Sequence, residues 1–508
     1  MDITPEEKIM TKAYDHFIGG ETVTGASGNY RDIFNPSLGD VSGTVVLANS
    51  EEVDLAVKSA QEAFHGWSAL NPQRRARVMF NFKRLIEEHA DELALIISEE
   101  HGKVLADSHG DIQRGLDVIE FACGIPHLTK GEYSQGAGPG IDVYSMRQPI
   151  GVAVGITPFN FPAMIPMWMF GVAIATGCTF ILKPSEKDPG VPLRLAELMM
   201  EAGAPAGVLN VVNGDKAAVD ALIRHDDVKA VSFVGSSDIA HYVYQECAKT
   251  GKRVQAMGGA KNHGIILPDA DIAQAVKDIS GAAYGSAGER CMALSAVVAV
   301  GEKTGDQFVE AMTDEINRLK VGISTDEEAD YGPLVTKEHR KKVEDYIQMG
   351  IDEGAELVVD GRGFSLQGYE SGFFLGPSLF DKVKPEMKSY EDEIFGPVLQ
   401  VLRTETFESA LDLPSQHQYG NGVAIFTRNG GAAREFAQQV EVGMVGINVP
   451  IPVPVSYHSF GGWKRSAFGD TNQHGMEGVR FYTRTKTVTQ RWPEQMTEGS
   501  SFIMPTMD

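Results

Sequence analysis

The sequence predicts an α/β protein built on a doubly wound parallel sheet, with more than one domain. Two observations carry this. From residue 150 onward, short apolar runs at 150–156, 179–182, 208–212 and 230–234 alternate with helical segments. Near-continuous apolar strands of this kind belong to a parallel sheet covered on both faces by its crossover helices. The second observation is length: 508 residues exceed what a single hydrophobic core organises, so two or more domains are expected.

The elements follow in chain order. Ser50-Glu51-Glu52 reads as a helix start with acid in the first turn, and Val53, Ala56, Val57, Ala60, Ala63 and Phe64 keep helical spacing after it. Asn71-Pro72 opens a second helix whose stripe is Val78, Phe82, Leu85 and Ile86. Around Arg114, apolar residues fall on two faces: Val118 and Phe121 on one, Ile112, Leu116 and Ile119 on another. That pattern predicts a largely buried helix. After the strand run at 150–156 come helical stretches at 162–175 and 192–200, the latter ending at Gly203. Ligands bind at the carboxyl ends of parallel strands, and Asn160, Lys183, Gly214 and Ser236 all follow strand runs, so they should share one edge. The strand–helix turns lack a Gly-x-Gly-x-x-Gly fingerprint; Gly235-Ser236-Ser237-Asp238-Ile239-Ala240 departs from it. A second α/β unit is expected over 258–465. Outside both units lie 131–147 and a tail from Phe481, where Thr and aromatics give a strand composition.

Composition narrows the classes. Apolar content of 43% and charged content of 22% are those of an ordinary globular protein. A formal charge of -24 argues against nucleic acid or an anionic membrane as the main partner. The four cysteines, Cys123, Cys178, Cys247 and Cys291, are widely spaced with no Cys-x-x-Cys, which fits a reducing compartment. Residues 1–20 hold Asp2, Glu6, Glu7 and Asp15 and no apolar run, so a signal or transit peptide is not expected. The longest apolar stretch, 161–174, contains prolines and falls short of the roughly 20 residues of a membrane span. A cytoplasmic protein is expected. The thirteen histidines, His263 and His458 among them, show no metal-ligand spacing and read as structural, so no metal site is expected.

Cys291 is the most informative residue. It ends the small-residue loop Gly285-Ser286-Ala287-Gly288-Glu289-Arg290-Cys291-Met292. A thiol is nucleophilic as thiolate, and the neighbouring Arg290 charge is expected to lower its pKa. The competing reading is a buried structural cysteine.

Four further segments, in order, decide for chemistry. Thr157-Pro158-Phe159-Asn160-Phe161-Pro162, Leu182-Lys183-Pro184-Ser185-Glu186, Phe233-Val234-Gly235-Ser236-Ser237 and Glu393-Ile394-Phe395-Gly396-Pro397-Val398 flank the cysteine loop. Together they resemble the aldehyde dehydrogenase superfamily over nearly the whole chain. The resemblance implies an NAD-binding domain at 1–130 and 148–257, a catalytic domain at 258–465 and a small oligomerisation β-segment at 131–147 and 481–500. It also implies pairing of that segment across subunits in a homotetramer; the alternative is two edge strands.

Met257 refines the resemblance. Hydrolytic members carry a water-activating glutamate where this chain reads Ala256-Met257-Gly258-Gly259-Ala260-Lys261-Asn262-His263, and a methionine cannot accept a proton. That run, and Asn448-Val449-Pro450-Ile451-Pro452-Val453-Pro454, are similar to the CoA-acylating branch acting on methylmalonate and malonate semialdehydes. The chemistry so implied is NAD-dependent oxidation through a Cys291 thioester, with CO2 release and coenzyme A as acyl acceptor, within valine or inositol breakdown. Cys291 and Asn160 are the expected catalytic pair, with Asn160 as oxyanion donor; by itself Asn160 reads better as a turn residue between Pro158 and Pro162, and the nucleophilic cysteine loop tips it to function. Arg114 and Arg290 are the expected carboxylate clamp, since a guanidinium holds a carboxylate through two parallel hydrogen bonds. For Arg114 an ion pair with Asp111 or Asp117 is the alternative. Thr157, Phe159, Lys183, Glu186, Lys187, Ser236, Gly258 and Glu393 are expected to line the cofactor site, Glu186 favouring NAD over a 2′-phosphate. Two other readings stand beside this one. A hydrolytic enzyme could use Glu289 or Glu393 as base, and a non-catalytic scaffold could keep the fold alone.

Overall fold

The computed structural model describes residues 12–492. Its first unit is an eight-stranded sheet. Five central strands run parallel, in the spatial order Arg253–Met257, Val228–Val234, Val152–Ile156, Thr179–Lys183, Leu209–Val211. The chain begins in the middle at Val152–Ile156, winds outward to one side through Thr179–Lys183, then returns to the other side of that first strand. This is the doubly wound order, and its switch point lies beside Val152–Ile156. Antiparallel strands cover both edges: Ala467–Phe468 on one, His16–Ile18 and Glu21–Val23 on the other.

The expected helices are present with small shifts in their ends. The first is Ser50–Ala69, and its cap is Asn49 rather than Ser50: the Asn49 side chain accepts from the Glu51 and Glu52 N–H groups, and Glu52 reaches back to the Asn49 N–H. Asn71 caps Pro72–Glu88 as the sequence indicates. The most apolar helix, Met164–Thr176, has all 13 residues buried and is clamped between the sheet and the helix Leu105–Cys123. Its uniform apolarity is that of a central core helix rather than an amphipathic surface one.

The second unit is a seven-stranded sheet in the order Glu356–Val359, Ser378–Asp381, Val398–Thr404, Leu294–Val300, Asn262–Ile266, Gly422–Phe426, Met444–Ile447. All its pairings are parallel except the edge strand Glu356–Val359. Cys291, Glu393, Asn262 and Asn421 all lie at or just before the amino ends of its strands. Asn160, Lys183 and Ser236 lie at or just beyond the carboxyl ends of strands in the first sheet. The two sheets therefore present opposite strand ends to one another, and the candidate residues meet in the seam.

Within the segment 131–147 and the described part of the tail, 481–492, the strands pair with one another. Tyr133–Gly138, Ile141–Pro149 and Thr483–Arg491 form one three-stranded antiparallel sheet within the chain, the last pairing continuously from Thr483 opposite Pro149 to Arg491 opposite Ile141. Residues 1–11 of the first expected domain, and 493–500 of the expected β-segment, lie outside the described residues. Among the described residues no helix is long and apolar enough to cross a membrane.

Candidate active site

Cys291 follows a backbone turn of unusual hand. Ser286 (φ 53, ψ 39) and Ala287 (φ 52, ψ 28) are left-handed, and Gly288 follows at φ 74. Only the glycine suits this conformation without cost; a side chain there would also meet the Gly396 carbonyl at 2.2 Å. The turn delivers a half-buried Cys291 to two adjoining spaces. One is a cleft of about 360 Å³ lined by Asp107, Arg114, Phe161, Trp168, Arg290 and Phe460 among others. The other is a narrow chamber of about 20 Å³ lined by Ala260, Asn262, Glu393 and Phe395.

Two asparagines fix the Cys291 backbone. Asn262 Nδ2 donates to the carbonyls of Cys291 (2.9 Å) and Ala293 (2.9 Å), and Asn421 Nδ2 donates to the same Cys291 carbonyl at 3.0 Å. Neither was assigned a role from sequence. The only local signal was Asn421-Gly422, which reads as an ordinary turn. Asn160 is buried and is brought to the loop as expected: its Nδ2 donates to the Glu289 carbonyl at 3.0 Å.

The electrostatics correct one expectation. Arg290 does not acidify Cys291. Its guanidinium turns to Asp107, at 2.5 Å, and to the Gly281 carbonyl, at 3.3 Å. The thiol is instead pushed up to about 11, by burial first and then by the nearby Glu393 carboxylate. The cation that opposes this is Lys103, which the sequence reading missed. Lys103 is buried, lies 3.4 Å from Asp107 and sits over the Phe161 ring at 3.7 Å. Burial alone would raise Asp107, but Lys103 and Arg290 outweigh it and hold the carboxyl well below the usual range.

Both expected clamp arginines line the same cleft as Cys291. Arg114 donates to the Pro454 carbonyl at 3.1 Å and lies 3.7 Å from Asp117. The alternative partner Asp111 is engaged elsewhere, accepting the Met164 N–H at 2.7 Å. Arg114 thus keeps a loose partner on its own helix while reaching the cleft.

The expected cofactor residues gather on the other side of the seam. Burial lowers the Lys183 pKa against the pull of Glu186, whose carboxylate is 3.5 Å away. Glu186 is held further by Arg31 at 3.3 Å, a residue not foreseen. Lys187 stands over the Phe159 ring at 4.2 Å. Arg31, Glu186, Lys187, His339 and Lys342 line a cleft of about 550 Å³. Thr157 Oγ1 is buried without a protein partner among the described residues. Ser236 is exposed and caps the helix Ser237–Lys249 with no side-chain bond, leaving its hydroxyl free. Glu393 accepts the Ala260 N–H at 2.9 Å. At Gly258 a side chain would meet Ser237 Oγ at 2.5 Å and the Arg465 carbonyl at 2.6 Å, so the protein's own packing demands glycine there.

Met257 is buried at the end of its strand, between Val234 and Ala467. The other proposed base, Glu289, lines neither space around Cys291; its carboxylate is fully buried and accepts the Val335 N–H at 3.2 Å.

Known proteins resemble this chain over nearly its whole length. The profile of the aldehyde dehydrogenase family matches residues 23–488. A malonate-semialdehyde dehydrogenase of Pseudomonas aeruginosa is 54% identical, over 97% of this chain and 99% of that protein. The acylating, mitochondrial methylmalonate-semialdehyde dehydrogenase of Arabidopsis thaliana is 46% identical, over 100% of this chain and 83% of that protein. A crystal structure from Sinorhizobium meliloti 1021, provisionally assigned as a methylmalonate-semialdehyde dehydrogenase and complexed with NAD, superposes with a TM-score of 0.95 at 59% identity. It covers 96% of this chain and 99% of its own.

Proposed function

Taking as premise that this chain belongs to the aldehyde dehydrogenase family, we propose that it oxidises malonate and methylmalonate semialdehydes and transfers the acyl group to coenzyme A, releasing CO2. The observation that carries this reading is the company Cys291 keeps. Two arginines share its cleft, and a methionine, not a carboxylate, stands where hydrolytic relatives keep their base.

Arg114 and Arg290 hold the substrate carboxylate, which orients the aldehyde carbon toward Cys291. The Cys291 thiolate attacks that carbon; a C–S bond forms and the carbonyl electron pair becomes an oxyanion. Asn160 Nδ2 and the Cys291 backbone N–H supply the donors for that charge. NAD, held by Lys183 and Glu186 on the adenosine ribose and Glu393 on the nicotinamide ribose, accepts the hydride. Phe159, Lys187, Thr157, Ser236 and Gly258 complete its surroundings; the unpartnered Thr157 hydroxyl and the free Ser236 hydroxyl fit a polar ligand in the seam. What is left on Cys291 is a malonyl or methylmalonyl thioester; its carboxylate leaves as CO2, the α-carbon takes up a proton, and the group passed on is acetyl or propionyl. Met257 offers no proton acceptor to activate water, whereas the coenzyme A thiol brings its own nucleophile. The products are acetyl-CoA or propionyl-CoA. A cytoplasmic homotetramer assembled through the three-stranded sheet, and a place in valine or inositol breakdown, belong to the same proposal.

The test is stopped-flow NADH formation with malonate semialdehyde. Without coenzyme A we expect a burst of about one NADH per active site and then arrest. With coenzyme A, turnover is sustained. Steady turnover without it would replace this reading with the hydrolytic one.

A further inference from the structure

Behind the catalytic loop lies a buried polar cluster that the reaction above does not use. Glu289 is fully buried, and burial pushes its carboxyl up to about 8. Its Oε1 accepts the Val335 N–H, while Oε2 has no protein partner among the described residues. His101 Nε2 is 3.7 Å from Oε2, too far for a hydrogen bond, and both His101 ring nitrogens are unpartnered. On the other side His339 Nε2 donates to the Phe395 carbonyl at 2.7 Å and lies 3.5 Å from Oε1. The Phe159 ring closes the cluster, with centroids 5.7 Å from His101 and 6.1 Å from His339.

The same residue ties three strands of the argument together at its backbone. The Glu289 N–H donates to the Ser286 carbonyl at 2.9 Å, closing the left-handed turn. Its carbonyl receives the Asn160 amide. Left-handed non-glycine residues are strained and persist only where their surroundings over-determine them. Ser286 and Ala287 are two of these, immediately before the nucleophile, and the Ser286 hydroxyl itself has no protein partner among the described residues.

We propose that Glu289 is a positioning residue for the catalytic centre. Its side chain, anchored on Val335 between His101 and His339, holds the left-handed turn 286–288, so that its own carbonyl aims the Asn160 amide and the Cys291 N–H at one point. The inference rests on the roles given above to Cys291 and Asn160. Glu289 acts through Asn160, and its loss is felt in the chemical step rather than in substrate binding.

A double-mutant cycle in the full-length enzyme tests this, with kcat and KM for malonate semialdehyde measured at saturating NAD and coenzyme A. E289A is expected to lower kcat by about 10- to 100-fold with KM within about threefold. N160A lowers it by roughly 100- to 1000-fold, the cost of one oxyanion donor. The double variant should be no more than about threefold worse than N160A alone, because the two act as one unit. E289Q, which keeps an oxygen for the Val335 N–H, should recover at least tenfold of the E289A loss. Should E289A not fold, E289L keeps the volume, removes the acceptor and carries the same expectations. Multiplicative losses in the double variant, or a folded E289A with kcat within twofold of the parent, would overturn the inference. Full activity of N160A or C291A would instead overturn the proposed function and is read separately.

Discussion

The two flanks of Cys291 are built on opposite electrostatic rules. On the cleft side the carboxylate beside the arginines is held ionised by its partners: Asp107 bridges Lys103 and Arg290, and its carboxyl stays well below its ordinary range despite burial, whereas the neighbouring Asp111 is pushed up to about 7 by burial. On the inner side groups are held neutral because burial is uncompensated. Glu289 is pushed up to about 8, His339 is lowered to about 4, and His101 lies well below its usual value. A charged substrate has to be met on the first side and an accurate backbone kept on the second. A mobile charge next to the turn would pull at the geometry that the oxyanion needs, whereas paired arginines cost little to keep ionised and can exchange a partner for a ligand carboxylate.

The contrast is open to direct attack. The largest effect belongs to the residue both flanks serve: C291A should reduce turnover to background while leaving NAD binding, followed by fluorescence quenching, within about threefold. Retained turnover would place the nucleophile elsewhere.

On the cleft side, R114A and R290A should each raise KM for malonate semialdehyde by roughly 10- to 100-fold, the cost of charge-assisted hydrogen bonds of about 1.5–3 kcal/mol. An uncharged aldehyde of similar length should lose far less. R290A also strips Asp107 of a partner, so it should lower stability where R114A does not. Equal losses on both aldehydes would sink the clamp.

The inner side makes its prediction through pH. The Cys291 thiol, pushed up to about 11, should show alkylation by iodoacetamide that climbs from neutral pH without a plateau below about pH 10 in the enzyme without cofactor. A plateau near pH 8 would mean that Arg290 or Lys103 acidifies it after all. The smallest effect is on stability. Glu289 rises from 4.5 to about 8 on folding. The folded state therefore binds the extra proton between those values, and its contribution is full below pH 4.5 and is lost as pH rises through about 8. E289Q removes that titration, so its melting temperature should decline less between pH 6 and 9 than that of the parent. Parallel declines would show that Glu289 is not the titrating group.

How much of this was legible in the sequence depends on how local the signal is. The doubly wound sheet could be read because each parallel strand is an apolar run of its own, and Asn160, Lys183 and Ser236 could be placed because each follows such a run. Met257 was legible as an absence at a recognised position. The inner flank was not. His101, Glu289 and His339 come from separate elements, and only the meeting of the two sheets makes them neighbours. Arg290 shows the converse error: adjacency in sequence suggested that it would acidify Cys291, but its long side chain found Asp107, 183 residues away along the chain.

The central claim is that the acyl group leaves Cys291 for a thiol and not for water. The most direct measurement is mass analysis of products formed from malonate semialdehyde and NAD with coenzyme A present. The account predicts acetyl-CoA together with CO2 in amounts equal to the NADH formed. A free carboxylic acid formed in step with NADH would contradict it and assign the last step to hydrolysis.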